Sequence, residues 1–470
     1  MINSTEEGEY LKANAAQSAK ATRTQQHSRI MDGPVLGLIL SMATPNAMAF
    51  LVQAAVNMTE VWFIGQLGTT ALAAMGFVFP GLMLMQMLSG GAMGGAVASS
   101  IARCLGRGEV ERAHRILWHA IAIALAAGLL FLTLYQIFGT SLLLRMGASG
   151  KVLAEADRYA GIIFTASTSI WMTSILAGTF RGMGEMRIPA AIMAGAGIVQ
   201  VFVSGALVLG WFGAPRLGML GAALSVTGVA SLSAIVTLTL LAKSKVPVRL
   251  SIRHLKFEAF IFKDIFRIGA LAGISPFLTI TSIMVINSLI SRYGDAMVAG
   301  YGIGARLEFL LVPMVFGFGA AMNTMVGMNV GAGNIRRAEH IAFVGGSSAA
   351  CLTGFVGLFL AIFPELWIGL FTEDPAAIAA GARYLQYSGW AFAFQGMGLS
   401  LYFASQGAGN VLWAVIANFA RFAVGAGGAV LLTTVFALDV NWIFICLALG
   451  MFCYGSITAG SIWLGAWRPR

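Results

Sequence analysis

The sequence predicts an all-α integral membrane protein: twelve transmembrane helices arranged as two parallel six-helix repeats. Three observations predict it. Hydrophobic residues make up 58% of the 470-residue chain and charged residues only 10%, with a mean hydropathy of +0.83, far outside the soluble range. Apolar stretches longer than the roughly 20 residues a helix needs to cross a bilayer recur from about residue 33 to residue 464. They lack period-two alternation, which excludes a transmembrane barrel.

In chain order, the predicted spans are 33–63, 70–100, 115–138, 153–178, 188–211 and 217–242, then 265–291, 296–328, 338–363, 376–404, 410–436 and 440–465. Residues 1–31 are rich in Ala, Gln, Ser and Thr without an apolar centre, so they read as a disordered cytoplasmic tail. The N-lobe is residues 32–242 and the C-lobe residues 265–470; between them, 243–264 carries a basic run and Pro247 and reads as a cytoplasmic linker. Cys104, Cys351, Cys446 and Cys453 have no pairing or metal-ligand spacing and are expected to pack.

A formal net charge of +10 suggests an acidic partner until the positions are considered. When the tail is placed inside and the spans alternate, most of the 29 Lys and Arg fall in inner loops, among them Arg103, Arg107, Arg112, Arg115, Arg336 and Arg337. This bias places both termini in the cytoplasm and makes a nucleic-acid partner unnecessary. The expected locale is the plasma (inner) membrane, the expected neighbours are the bilayer and small amphipathic substrates, and a monomer is expected.

The repeat is visible in the letters. GTTALAAMG at Gly68 matches GDAMVAGYG at Gly294, a shift of 226, and LGRGEVERA at Leu105 matches VGAGNIRRA at Val330, a shift of 225. RGMG at Arg181 and QGAG at Gln406 are again 225 apart. Since six helices per half is an even number, both halves run the same way through the membrane. Duplicated lobes around a midplane site are the usual build of a secondary transporter.

Enzyme motifs are missing: there is no phosphate loop, no H-E-x-x-H and no nucleophile elbow, and no cofactor is expected. Glu60 stands out instead, since a carboxylate inside a spanning helix is expensive unless it is protonated, paired or hydrated. Gln53, Asn57 and Glu60 are spaced by four and three and share a helix face, with Asn46 seven residues before Gln53. Glu308, beside Arg306, has a structural reading as well as a functional one. Arg421 falls deep in the eleventh span, with helix-end bonding and substrate contact both open. Pro45 lies early in the first span, where it can serve bending.

Together, the ordered motifs resemble the multidrug and toxic compound extrusion (MATE) family over residues 33 to 465. They are Pro45, VWFIGQLG after Glu60, ALAAMG at Ala71, RGMGEMRIP at Arg181, LGMLGAALS at Leu217, RLEFLLVP at Arg306 and VGMNVGAGNIRRA at Val326. The resemblance implies a V of two six-helix bundles, export of amphipathic and often cationic compounds, and a coupling site in the N-lobe. The first-helix acid is Asp in most members and Glu60 here. The fifth-helix Asn and Asp fall on Gln200 and Ser204, and a hydroxyl partner in the sixth helix falls near Ser225 or Thr227. A further acid of one branch is missing from SPFLTITSIMVINSLI, which places the chain closer to the DinF-like branch.

The implied site is therefore Glu60, Asn57, Gln53, Gln200, Ser204 and Thr227, with Asn46, Glu60, Gln200 and Arg421 facing substrate and Pro45 acting as the bending point. The implied coupling ion is H+, acting through Glu60 protonation. Na+ held near Glu60 is one alternative, a dedicated lipid or metabolite flippase of the wider superfamily is another, and a channel or membrane receptor without coupling is the alternative from another class.

Overall fold

The computed structural model describes residues 28–243 and 246–468. The predicted tail lies outside them up to residue 27; from Ser28 to Asp32 the chain is already helical, because Ile30 is buried against the C-lobe and Arg337 donates to the carbonyls of Ile30 and Gly33. Among the described residues all regular structure is helical. The spanning segments are α1 (Val35–Gly65), α2 (Thr69–Gly106), α3 (Val110–Arg145), α4 (Gly150–Thr165 and Ser167–Gly182), α5 (Arg187–Leu209) and α6 (Met219–Lys243) in the N-lobe. The C-lobe holds α7 (Ala259–Tyr293), α8 (Asp295–Gly331), α9 (Ile335–Ile362), α10 (Pro375–Ser388 and Phe392–Ala408), α11 (Leu412–Val435) and α12 (Asn441–Trp463).

Ten of these segments are continuous helices long and apolar enough to span a membrane, and α4 spans as a pair bent by 49°. The twelfth, α10, is broken by a short 3-10 turn at Gly389–Ala391. The two broken helices are repeats of each other: Gly150 and Pro375 begin them, and Ser167 and Phe392 resume them, each pair 225 residues apart. Val110 and Ile335, and Arg187 and Leu412, begin their helices at the same spacing. The duplication read from short motifs is thus a duplication of backbone.

Helix ends run past the predicted limits where amphipathic turns continue the apolar core, as in α3, predicted over 115–138 and observed over Val110–Arg145. The linker is shorter than expected, because α7 begins at Ala259 rather than 265 and buries Ile261 and Ile265. Glu258, at its N-terminus, is held by Arg115 of α3 at 2.5 Å, and Trp118 of α3 donates to the Ser251 carbonyl at 3.0 Å. Burial works to raise the Glu258 carboxyl, but the Arg115 hydrogen bond and charge outweigh it and hold it below the usual carboxylate range. Lys243 ends α6, Ser244 and Lys245 lie outside the described residues, and a single 3-10 turn forms at Ile252–His254.

The lobes meet at the end of the bundle that carries the basic loops, and they do so with approximate two-fold symmetry. A Cβ on Gly106 of α2 would lie 2.1 Å from the Met328 carbonyl oxygen of α8, and a Cβ on Gly331 of α8 would lie 2.2 Å from that of Arg103 of α2. Gly106 and Gly331 are repeat equivalents, and so are Arg103 and Met328. Ser99 donates across the seam to the Gln406 carbonyl at 2.5 Å, and its equivalent Thr324 donates back to the Arg181 carbonyl, itself equivalent to Gln406, at 2.7 Å. The small residues let backbones touch, and the hydroxyls satisfy carbonyls that hydrocarbon could not.

A charge locks the same seam. Arg103, 6% exposed, pairs with Asp264 of α7 at 2.9 Å, donates to Ser99 of its own helix, and lies beside Ser100, which donates to the same Asp264 oxygen. Gly331→Ala should therefore lower the thermal midpoint by several degrees and reduce transport at least about tenfold. Gly228→Ala, where a Cβ meets open space, should leave both near wild type. Melting curves and flux on the two purified variants check this pair.

Candidate functional site

Glu60 lies five residues from the C-terminus of α1 and is 5% exposed. Its carboxylate accepts two hydrogen bonds from α5: Gln200 Nε2 donates to Oε1 at 3.2 Å and Ser204 Oγ to Oε2 at 2.8 Å. The i, i+4 spacing of Gln200 and Ser204 puts both donors on the α5 face turned to α1. Gly197, one turn earlier, makes the approach close: a Cβ there would lie 2.9 Å from Val56 Cγ2 of α1. Among the described residues Glu60 has no ion-pair partner, so neutral donors alone serve it.

The structure thus brings together three of the residues the family pattern implied, and it distributes the others. Gln53 donates to Asn57 at 3.2 Å, forming an accessible amide pair on α1 rather than a contact to Glu60. Thr227 spends its hydroxyl on the Ala223 carbonyl of its own helix at 2.7 Å, while Ser225 is fully buried with no partner for its oxygen among the described residues. Asn46 is buried and donates to the Met186 sulfur at 3.2 Å. It is about 21 Å from Glu60 along α1, at 1.5 Å per residue. Pro45 lies inside α1 without ending it, and lacking an N–H it leaves the Ser41 carbonyl without its helical donor.

Beyond Glu60, toward the α1–α2 turn, Phe63 packs edge-on against Trp211 with ring centroids 5.3 Å apart. A surface depression of about 530 Å³, lined by Trp62, Gln66, Val208 and Arg216 among others, opens there. Val208 is one turn beyond Ser204 on α5. Glu60 is therefore close to the end of the bundle opposite the basic loops.

Arg421 belongs to a different place. It lines a C-lobe cavity of about 300 Å³ that also includes Glu308 and is bounded on the N-lobe side by Met83, Met87 and Gly91 of α2. Neither Asn46, Glu60 nor Gln200 lines that cavity. Arg421 donates to Gln395 at 3.2 Å and to Thr279 at 3.0 Å, and its guanidinium lies 5.5 Å from the Tyr454 ring centroid. Glu308 accepts from the Tyr384 hydroxyl. Tyr384 lies 76 residues from Glu308, and nothing in the sequence spacing linked the two.

With this geometry in hand, comparison with known proteins is direct. The MatE family profile matches residues 45–205 and 272–431, one match in each lobe. A probable multidrug resistance protein, NorM, of Thermotoga maritima is 23% identical over 382 residues, covering 81% of this chain and 82% of the relative. An FAD transporter of Shewanella oneidensis is 26% identical over 359 residues, covering 74% and 77%. Among solved structures, a MOP superfamily transporter from Pyrococcus furiosus superposes with a TM-score of 0.87 at 20% identity over 94% of this chain and 98% of that one. A MATE protein crystallised in a bent conformation superposes at 0.86, also at 20% identity, over 94% and 98%. At that identity the structures establish the fold, and the sequence match supplies the family: the chain belongs to MatE, the MATE transporters.

Proposed function

We propose that this protein is a secondary multidrug efflux antiporter of the DinF-like branch, exporting amphipathic and often cationic compounds from the cytoplasm in exchange for protons carried by Glu60. The observation that carries the reading is a buried carboxylate served by two neutral hydrogen-bond donors and by no cation among the described residues. Burial away from any cation favours the neutral acid while the two donors favour the carboxylate, so the group can take up a proton or release it as water or a cationic substrate comes and goes. The relatives named as multidrug resistance proteins support the substrate class.

With the lobes sealed at the basic end, which the positive-inside bias makes cytoplasmic, Glu60 is buried one turn in from the depression beside Trp62 and Trp211, on the exterior side. A proton from outside neutralises it, removing its attraction for a cationic substrate. Neutral Glu60 stays against Gln200 and Ser204, α1 bends where Pro45 has freed the Ser41 carbonyl, and the substrate leaves. When the lobes seal at the other end, the proton leaves to the cytoplasm. Gln200 and Ser204 reach Glu60 as donors, whereas a Na+ ion would need their oxygens turned toward it, so the arrangement favours H+. Both termini are then cytoplasmic, the protein acts as a monomer in the plasma membrane, and no cofactor takes part.

Vesicles loaded to export a cationic dye test this under separately imposed proton and sodium gradients. Export should follow the proton gradient alone in wild type and fall at least about a hundredfold in Glu60→Gln, with dye binding retained. Export by the mutant at wild-type rates, or export driven by sodium alone, would overturn it. The hydrogen bond itself is open to a double-mutant cycle on stability. Glu60→Leu and Ser204→Ala should couple by about 1–2 kcal/mol, and purely additive effects would show that the 2.8 Å contact does not hold the carboxylate.

A further inference from the structure

The C-lobe cavity is not used by the mechanism at Glu60, yet it has the build of a ligand site. Its charged lining consists of two side chains of opposite sign, Arg421 from α11 and Glu308 from α8. They do not form an ion pair with each other, and among the described residues neither forms one with any other group. Arg421 is instead fixed by neutral partners, Gln395 at 3.2 Å, Thr279 at 3.0 Å and the face of Tyr454. Two of its five N–H donors are thereby engaged, which sets the direction of the guanidinium without cancelling its charge. On Glu308 the described donor is Tyr384, again neutral.

A separated positive and negative charge inside one apolar chamber is costly when empty and favourable when a molecule supplies both complements. A simple organic cation meets repulsion from Arg421, and a simple acid meets repulsion from Glu308. A zwitterion meets neither. Met83, Met87, Phe316, Leu399 and Met451 supply an apolar face, the methionines being adaptable in shape. A volume of about 300 Å³ is at the lower end of the range for drug-sized ligands. Two π-helical segments, Met87–Met93 of α2 and Ala423–Gly427 of α11, border it through Met87, Gly91 and Gly425, and such widened turns recur at functional sites.

We propose that this cavity binds zwitterionic amphipathic molecules, with Arg421 holding the acid group and Glu308 the basic one. The site goes beyond the Glu60 reading and does not need it, since binding requires no coupling ion. Its test is equilibrium binding to the purified protein rather than transport. The probe is Nε-dansyl-lysine, a zwitterion with an apolar fluorophore, beside its methyl ester, which keeps the amine and loses the acid charge. Wild type should bind the zwitterion at least about tenfold more tightly than the ester.

Arg421→Gln should bring the zwitterion down to the affinity of the ester and leave the ester unchanged or tighter. Arg421→Lys should keep part of the difference, and Glu60→Gln should keep all of it. Equal affinities in wild type would overturn the proposal without recourse to any variant. So would an Arg421→Gln protein that melts like wild type and still prefers the zwitterion tenfold, or loss of that preference in Glu60→Gln.

Discussion

The rest of the structure depends on how closely α2 and α8 can cross. Two helices bring their backbones together only where neither carries a side chain at the contact, and Gly106 and Gly331 provide that relief on both sides of the seam. Once the backbones touch, Ser99 and Thr324 can reach the carbonyls of the opposite lobe, and Arg103 can reach Asp264. Each of these bonds needs the others, since a hydroxyl displaced by an ångström reaches no carbonyl. Holding the lobes at the basic end leaves the opposite end free to part. The C-lobe cavity fits that wedge: its lining runs from Asn287 and Tyr301, near the α7–α8 turn, inward to Gly91 and Phe403 beside the seam.

Glu60, Glu308 and Arg421 are partnered differently from Arg103 at the seam. At the seam, Arg103 has a carboxylate at 2.9 Å, a complete pair that stabilises one arrangement of the lobes. At Glu60, and at Glu308 and Arg421, the partners are amides, hydroxyls and rings. Neutral partners orient a charged group without pairing its charge. A salt bridge in those places would pair it as Asp264 pairs Arg103. The distinction lies in partner type more clearly than in burial.

Much of this was legible in the sequence, and the boundary of legibility has a physical cause. Helix count, order and the duplicated halves follow from hydropathy and from motifs spaced 225 or 226 apart, because bilayer thickness and a copied chain leave periodic marks. Glu60 was legible because a carboxylate is rare in a spanning helix. Gln200 and Ser204 came from resemblance alone, as nothing local to α5 says which of its faces meets α1. The separation of Arg421 from Glu60, and the joining of Glu308 with Tyr384 across 76 residues, depend on how twelve helices pack, which one-dimensional spacing does not encode. The early start of α7 was hidden because Glu258 and Lys256 look like linker until Arg115 of another helix is placed beside them.

The two halves have kept different things from their common origin. Glycines and hydroxyls at the seam recur at repeat-equivalent positions, since both copies must fit the same crossing, and so do the breaks in α4 and α10. The site charges do not recur. The position equivalent to Glu60, at the shift of 226 that relates Gly68 to Gly294, is Ile286, and that equivalent to Arg421 is Ala196. Both lobes must keep the same small residues and hydroxyls for the crossing to close, whereas a second copy of a site carboxylate would add a buried charge to be solvated. The crossing therefore constrains both copies alike. The site in each lobe is free to diverge, and here it has done so into a lone carboxylate on one side and a separated charge pair on the other.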